Sequence, residues 1–216
     1  MTHVYFMPGM AANPSIFEHI KLPENQYRMH YLEWIIPKKK ESLSDYAKRL
    51  ILGIKHENPI LVGVSFGGII VQEIAKLIKV KKIVVISSVK TKYELPRRMA
   101  LARYTGLHRL IPTSLVYKLD VIAKYAYGDA VVRRLDLYEK YLSVRDKYYL
   151  DWAIDKVIHW DQQQALPNTV HIHGVKDMVF PYVHIRGCVA VKDGTHVMII
   201  NKYKWFNEHL PRLFED

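Results

Sequence analysis

The sequence predicts an α/β fold built on a doubly wound, mostly parallel sheet. Two unbroken apolar runs, residues 60–64 and 83–86, have the character of strands that are buried on both faces of a parallel sheet. Helical patterns lie between the β-like runs with short links, as right-handed crossovers require. From about residue 90 to residue 165 the β-like runs stop and helical patterns take over. We therefore expect one domain over residues 1–216, interrupted by a helical insertion.

The predicted elements follow one another in a regular order. Ser44 and Asp45 are predicted to cap a helix between the second and third β-like runs, and a second helix should begin just after Ser65. A closing helix is predicted over about residues 197–210. The β-like runs cover residues 4–7, 29–32, 60–64, 83–86, 169–173 and 188–191.

The composition is that of an ordinary globular domain, half hydrophobic and a quarter charged. The 32 Lys and Arg residues exceed the 21 Asp and Glu residues, which gives a net charge of +11. Because the basic residues are scattered along the chain, we interpret them as a basic surface and expect no nucleic-acid partner.

Cys188 is the only cysteine, which excludes an internal disulfide. The sequence shows no signal peptide and no apolar run that could span a bilayer, so a cytoplasmic location is expected.

The strongest functional signal is the segment Gly63-Val64-Ser65-Phe66-Gly67-Gly68. It directly follows an apolar strand run and directly precedes a helical pattern, which is the context of a G-x-S-x-G nucleophile elbow. Such a turn exposes the serine hydroxyl at the carboxyl end of the sheet, and Gly63 and Gly67 let the strand and the helix approach each other. The alternative is a glycine-rich turn with an incidental or phosphate-binding serine. We predict that Ser65 is a nucleophile.

A serine hydroxyl needs a base that accepts its proton. His196 comes just past the last strand run, so we predict that it lies on a loop at the carboxyl edge of the sheet and acts as this base. A structural role at a helix start is the alternative, and His184, before the last strand, is the weaker rival. Four further histidines fall in a strand run or in the insertion: His171, His173, His108 and His159.

The base in turn needs an acceptor that fixes its tautomer. Asp177 follows the strand run at residues 169–173, again at a carboxyl end, and is predicted to be this acid. An ordinary turn aspartate is the alternative. Asp193 competes because it lies close to His196 in the sequence, although three residues of turn favour a local cap.

An oxyanion hole would complete the site. The first strand run leads into Pro8-Gly9-Met10-Ala11, a turn that can present a backbone N–H group. We predict that the N–H groups of Met10 and Phe66 form the donor pair. Because these donors belong to the main chain, the side chain at residue 10 is only weakly constrained.

The order Ser65, Asp177, His196, with an elbow after a central strand and a glycine turn after an early one, resembles the α/β-hydrolase superfamily over essentially the whole chain. The resemblance implies a reduced sheet of about six mostly parallel strands and a helical cap at about residues 90–165. Two features depart from the family. The oxyanion turn reads Pro8-Gly9 where many relatives have His-Gly, and only 19 residues separate Asp177 from His196, so the helix that usually lies there must be cut to a turn around Pro181.

The predicted function is hydrolysis of a small or medium carboxylic ester by a serine hydrolase through an acyl-enzyme, and the expected partner is a small-molecule acyl substrate. No metal or organic cofactor is expected, since the sequence shows no Cys/His cluster, no H-E-x-x-H pattern and no phosphate loop. A thioesterase or another acyl hydrolase shares the same machinery. A ligand-binding protein that has kept the fold without turnover is the alternative of a different class.

Overall fold

The computed structural model describes residues 1–106 and 140–215. Within them, six parallel strands form a single sheet in the order β2-β1-β3-β4-β5-β6, which confirms the predicted fold class. The strands are β1 (Thr2–Met7), β2 (Tyr27–Tyr31), β3 (Ile60–Val64), β4 (Lys82–Ile86), β5 (Thr169–Gly174) and β6 (Val189–Val191).

Helices cover both faces of this sheet. Those in the described residues are α1 (Leu43–Ile51), α2 (Phe66–Ala75), α3 (Arg97–Thr105), α4 (Lys147–His159), α5 (Met198–Asn201) and α6 (Tyr203–Glu215). Helix α2 packs against α1 and contacts β1, β3 and β4. On the other face, the ring of Phe214 in α6 meets the ring of Tyr27 edge-on with centroids 5.3 Å apart. The two central strands, β3 and β4, are buried at every residue, as their unbroken apolar runs predicted.

Two helix predictions need correction. The cap of α1 is Ser42 and neither Ser44 nor Asp45: Ser42 Oγ accepts the Asp45 N–H at 3.0 Å and donates to the Asp45 carboxylate at 2.7 Å. This reciprocal pair satisfies an N–H group that the first turn would otherwise leave without a partner. The closing helix is divided into α5 and α6, because Lys202 departs from helical geometry (φ −115°, ψ 24°).

The strand order shows which edge of the sheet can bind a ligand. From β1 the chain moves outward to β2 and then returns to the other side of β1 as β3, so the crevice beyond the carboxyl ends of β1 and β3 is a topological switch point. Met7 ends β1 there, and its register partner Gly63 is the second-last residue of β3. Ligands of open α/β sheets bind in such crevices.

The expected insertion at about residues 90–165 is described only at its two ends. Helices α3 and α4 belong to it and pack against each other, while residues 107–139 of this expected cap, His108 included, lie outside the described residues. None of the helices in residues 1–106 and 140–215 has the length and apolar character needed to cross a membrane.

Candidate active site

Ser65 lies on the sharp turn between β3 and α2, with a backbone conformation that residues bearing a side chain rarely adopt (φ 53°, ψ −122°). Three hydrogen bonds hold this turn. The Ser65 N–H donates to the carbonyl of Ile86 at 2.9 Å, and the Ser65 carbonyl accepts from the Gly68 N–H at 2.9 Å and from Ser88 Oγ at 2.7 Å. Two of the three partners belong to β4 or the residues just after it, so the neighbouring strand sustains the strain.

Gly63 and Gly67 lie where three backbone segments converge. A Cβ on Gly63 would overlap the carbonyl of Gly67, and a Cβ on Gly67 would overlap the carbonyls at the end of β1. Only glycine allows this approach. The end of β1 therefore lies directly beside the serine turn.

His196 lies on the loop between β6 and α5, at the same carboxyl edge of the sheet. Its Nε2 atom is 2.9 Å from Ser65 Oγ, and its side chain is 12% exposed, so one edge of the imidazole remains open to solvent. The loop is anchored where Gly194 packs on the backbone of Gly174, an approach that leaves no room for a Cβ.

Asp177 lies just after β5 with its carboxylate fully buried. Oδ2 accepts the Nδ1–H group of His196 at 2.9 Å, while Oδ1 accepts the N–H groups of Val179 at 2.8 Å and Phe180 at 2.9 Å. Burial by itself would raise the pKa of Asp177, but the facing His196 and the hydrogen bonds outweigh burial and hold the pKa below its usual value. The group is a carboxylate at neutral pH.

The three side chains form one hydrogen-bonded path. Because the Asp177 carboxylate accepts only, the proton of the neutral imidazole resides on Nδ1, and the lone pair on Nε2 faces the hydroxyl of Ser65. This is the arrangement in which an imidazole can remove a hydroxyl proton.

The segments that carry the two predicted oxyanion donors lie beside Ser65. A Cβ on Gly9 would be 3.4 Å from Cβ of Ser65, so the turn that carries Met10 adjoins the Ser65 side chain. Phe66 is the first residue of α2, and N–H groups in the first helical turn have no acceptor within the helix. The helix dipole adds partial positive charge at the same end.

The rival residues have other partners. Asp193 pairs with Lys176 at 2.6 Å on the surface and not with His196. His184 lines a separate cavity of about 560 Å³, together with Lys90 and Arg186. His159 bonds to the Asp155 carbonyl within α4.

No protein-family model and no curated protein sequence matches the chain. Solved structures do match it in shape. A bromoperoxidase from Bacillus anthracis has a TM-score of 0.70 at 20% identity, an esterase from Exiguobacterium antarcticum has 0.66 at 19%, and an enol-lactonase from Burkholderia xenovorans has 0.69 at 13%. Each match covers 100% of this chain and 92% of the other. The chain has the α/β-hydrolase fold. At these identities the likeness is one of fold.

The shortened link between Asp177 and His196 is visible in this α/β-hydrolase fold. A single-turn 3₁₀ helix, Tyr182–His184, stands where the resemblance implied a reduced turn. The link still places His196 next to the Asp177 carboxylate, because β5 and β6 are paired parallel strands that end at the same edge of the sheet.

Two residues of β5 interact behind the acid in a way that sequence reasoning missed. His173 Nε2 donates to the carbonyl of Phe180 at 2.8 Å and lies 3.5 Å from Oδ2 of Asp177. His171 Nε2 donates to Nδ1 of His173 at 3.1 Å. Both histidines fall in a predicted strand run, and the spacing of His173 and Asp177 by four residues was the available sequence signal.

Trp34 and Ser88 were also missed. Trp34 Nε1–H donates to the carbonyl of Gly9 at 2.9 Å, and its indole lies parallel to the ring of Phe66 with centroids 5.1 Å apart. It thereby fixes the turn that carries one predicted oxyanion donor. No motif marks either residue, because their roles arise from contacts between distant parts of the chain.

The described part of the site contains no group of three metal-ligating side chains. The described residues do include one such group elsewhere, formed by His3, His30 and His56.

Proposed function

We propose that this protein is a serine hydrolase that cleaves small or medium carboxylic esters through an acyl-enzyme. The observation that carries the proposal is the unbroken hydrogen-bond path from Ser65 through His196 to Asp177, with 2.9 Å at each step. A path of this kind makes a serine hydroxyl nucleophilic.

Ser65 Oγ attacks the ester carbonyl carbon while His196 Nε2 takes the hydroxyl proton. The buried Asp177 carboxylate stabilises the imidazolium that forms. When the tetrahedral intermediate collapses, the alcohol leaves with the proton returned by His196, and the acyl group stays on Ser65. A water molecule then repeats the sequence, with His196 as its base, and releases the acid.

Negative charge on the carbonyl oxygen is stabilised by the N–H groups of Met10 and Phe66. Loss of one such donor typically costs about 3–4 kcal/mol of transition-state stabilisation. Both donors are fixed before substrate binds, since one begins α2 and the other follows the carbonyl that Trp34 holds.

The described ends of the expected cap, residues 90–106 and 140–165, include contacts with this edge of the sheet. In helix α4, Trp152 packs edge-on against Phe66 with centroids 5.9 Å apart. The segment just before α4 is bonded to the loop after the oxyanion turn: Asn13 N–H donates to the Tyr141 carbonyl, and Val144 N–H donates to the Ala11 carbonyl, both at 3.0 Å.

The nature of the substrate is supported by the fold neighbours, which include an esterase and an enol-lactonase. Ring and open-chain esters present the same carbonyl to the nucleophile, and thioesters undergo the same acyl transfer. The carbonyl group, and not the leaving group, is therefore what the machinery recognises.

The proposal is tested with p-nitrophenyl esters of increasing acyl length, a matched lactone and an acyl-thioester. Wild-type protein is expected to turn over the short and medium esters best, and Ser65→Ala is expected to lower kcat by about 10⁵–10⁶-fold. Ser44→Ala, on α1, is the matched control and should retain wild-type rates. A folded wild-type protein without activity on any ester would favour the ligand-binding alternative, and a preference for the thioester would make the protein a thioesterase.

A further inference from the structure

Three half-buried histidines meet on one face of the sheet beside β1 and β2, outside the machinery described above. His3 lies on β1, His30 on β2 and His56 on the loop between α1 and β3. One ring nitrogen from each lies within 4.8 Å of the others. His3 Nδ1 and His30 Nε2 are 2.9 Å apart, and the rings of His3 and His56 are stacked with centroids 3.4 Å apart.

The parallel register explains why these distant residues meet. Tyr5 is the register partner of His30, and His3 lies two residues before Tyr5, so all three side chains leave the sheet on the same face. The loop after α1 brings His56 onto this face from above. The arrangement depends on three separate segments and therefore has no signature in the sequence.

Tyr5 orients the third histidine. Its hydroxyl is 2.7 Å from Nδ1 of His56 and also accepts the N–H group of Lys55 at 3.0 Å. This contact engages Nδ1 and leaves Nε2 of His56 for another partner. Histidines that bind metals almost always have their second ring nitrogen fixed in this way.

We propose that His3, His30 and His56 bind one divalent first-row transition-metal ion, with zinc as the reference ion. Three imidazoles without a thiolate suit Zn²⁺, Cu²⁺, Ni²⁺ or Co²⁺, whereas Ca²⁺ and Mg²⁺ require oxygen ligands. A fourth position is left for water, as in three-histidine zinc sites.

Admitting the ion requires the stacked rings of His3 and His56 to rotate, because imidazole lone pairs lie in the ring plane, and requires His3 and His30 to separate slightly. With Zn–N bonds of about 2.0–2.1 Å, two tetrahedral ligands stand about 3.3 Å apart, so the His3–His30 contact must open by only about 0.4 Å.

The site stands apart from the candidate active site. Along β1, at about 3.3 Å per residue, His3 lies about 16 Å from Pro8, and Tyr5, the register partner of His30, lies about 10 Å from it. The ion would join the edge strand β2 to β1 and to the loop before β3. Its role is therefore structural: it stabilises an edge that is otherwise held by one neighbouring strand.

The test is zinc binding to untagged, chelator-treated protein, measured by calorimetry. Wild type is expected to bind one Zn²⁺ per chain and to melt several degrees higher with zinc present. His30→Gln and His56→Gln should weaken binding at least tenfold and abolish the melting shift, and Tyr5→Phe should weaken binding about tenfold. His19→Gln, at an exposed histidine, is the matched control and should bind as wild type does.

Absorption of the Co²⁺ form adds a geometric readout, because a four-coordinate site gives strong visible bands. The proposal is overturned if wild type shows no saturable zinc binding, or if His56→Gln, folded by circular dichroism, binds as tightly as wild type. Since every readout is binding or melting, the outcome is independent of the proposed ester hydrolysis.

Discussion

At the scale of single residues, Asp177 has two separate tasks. Oδ1 accepts two backbone N–H groups of its own loop, and Oδ2 accepts the proton of His196. The first contact shapes the loop, and the second sets the tautomer of His196, the base in the proposed mechanism. One substitution can separate them.

Asp177→Asn is expected to lower kcat by about 10³–10⁴-fold at pH 7, with KM little changed. The amide oxygen can keep the loop contacts, but the amide N–H would face Nδ1 of His196 and force the proton onto Nε2, where the lone pair is needed. Steady-state kinetics on the preferred ester measures this. Asp193→Asn is the control, since Asp193 pairs with Lys176, and it should retain wild-type rates. Equal losses in the two variants would contradict the assignment of the acid.

The buried histidines behind Asp177 couple stability to pH. Burial, with His173 as the next cause, lowers the pKa of His171 to about 2, and burial also lowers the pKa of His173. Between about pH 6.5 and pH 2 the unfolded chain therefore binds protons that the native protein does not. Stability falls on acidification below about pH 6.5, at up to about 1.4 kcal/mol per pH unit for each such histidine. The contribution of Asp177 is lost only at lower pH, because the pKa of that carboxyl is held below its usual value.

His171→Phe is expected to flatten the dependence of unfolding free energy on pH between pH 7 and pH 5. The ring volume is largely kept while the titrating group is removed. Urea unfolding at pH 7, 6 and 5 measures the slope, and His19→Phe, at an exposed histidine, should leave the slope as in wild type. A slope unchanged in His171→Phe would show that His171 does not resist protonation in the native protein.

At the scale of elements, the oxyanion turn depends on a side chain from the loop after β2. Trp34 donates to the Gly9 carbonyl, stacks on the ring of Phe66 and packs at a tilt against the ring of Tyr149 in α4. A loop, the elbow helix and the end of the insertion are thus packed around one indole.

Trp34→Phe should preserve most of this stacking and remove only the N–H donor. Loss of this hydrogen bond is expected to raise the activation free energy by about 1 kcal/mol, because the Gly9 turn is then positioned less well. That change corresponds to roughly a fivefold fall in kcat, with a smaller effect on KM. Trp205→Phe is the matched control, because it removes an indole from α6, and it should leave kcat unchanged. If kcat is unchanged in Trp34→Phe, contacts other than the Trp34 hydrogen bond hold the turn at Gly9.

The strands were easier to predict than the helix ends. Residues 60–64 form β3 as predicted, because a strand buried on both faces leaves an unbroken apolar run in the sequence. The cap of α1 was misplaced by two residues, since Ser42, Ser44 and Asp45 are all good capping types and only the backbone geometry selects one of them. The break at Lys202 carries no glycine or proline signal.

At the scale of the whole molecule, the parallel sheet explains why the candidate site could be predicted at all. Carboxyl ends of parallel strands share one edge, so residues that follow β3, β5 and β6 are brought together from anywhere in the chain. Ser65, Asp177 and His196 each follow a strand. By contrast, His173, Trp34 and the group formed by His3, His30 and His56 depend on side chains that meet across elements, and no spacing in the sequence encodes those contacts.

The central claim is that the Ser65 hydroxyl is an activated nucleophile, and covalent labelling tests it most directly. Folded wild-type protein treated with an alkyl fluorophosphonate should gain the mass of one phosphonyl group, which peptide mapping should locate on Ser65. Ser65→Ala should gain none, while Ser44→Ala should be labelled as wild type is. A folded wild-type protein that stays unlabelled, or a Ser65→Ala variant labelled to the same extent, would contradict the claim.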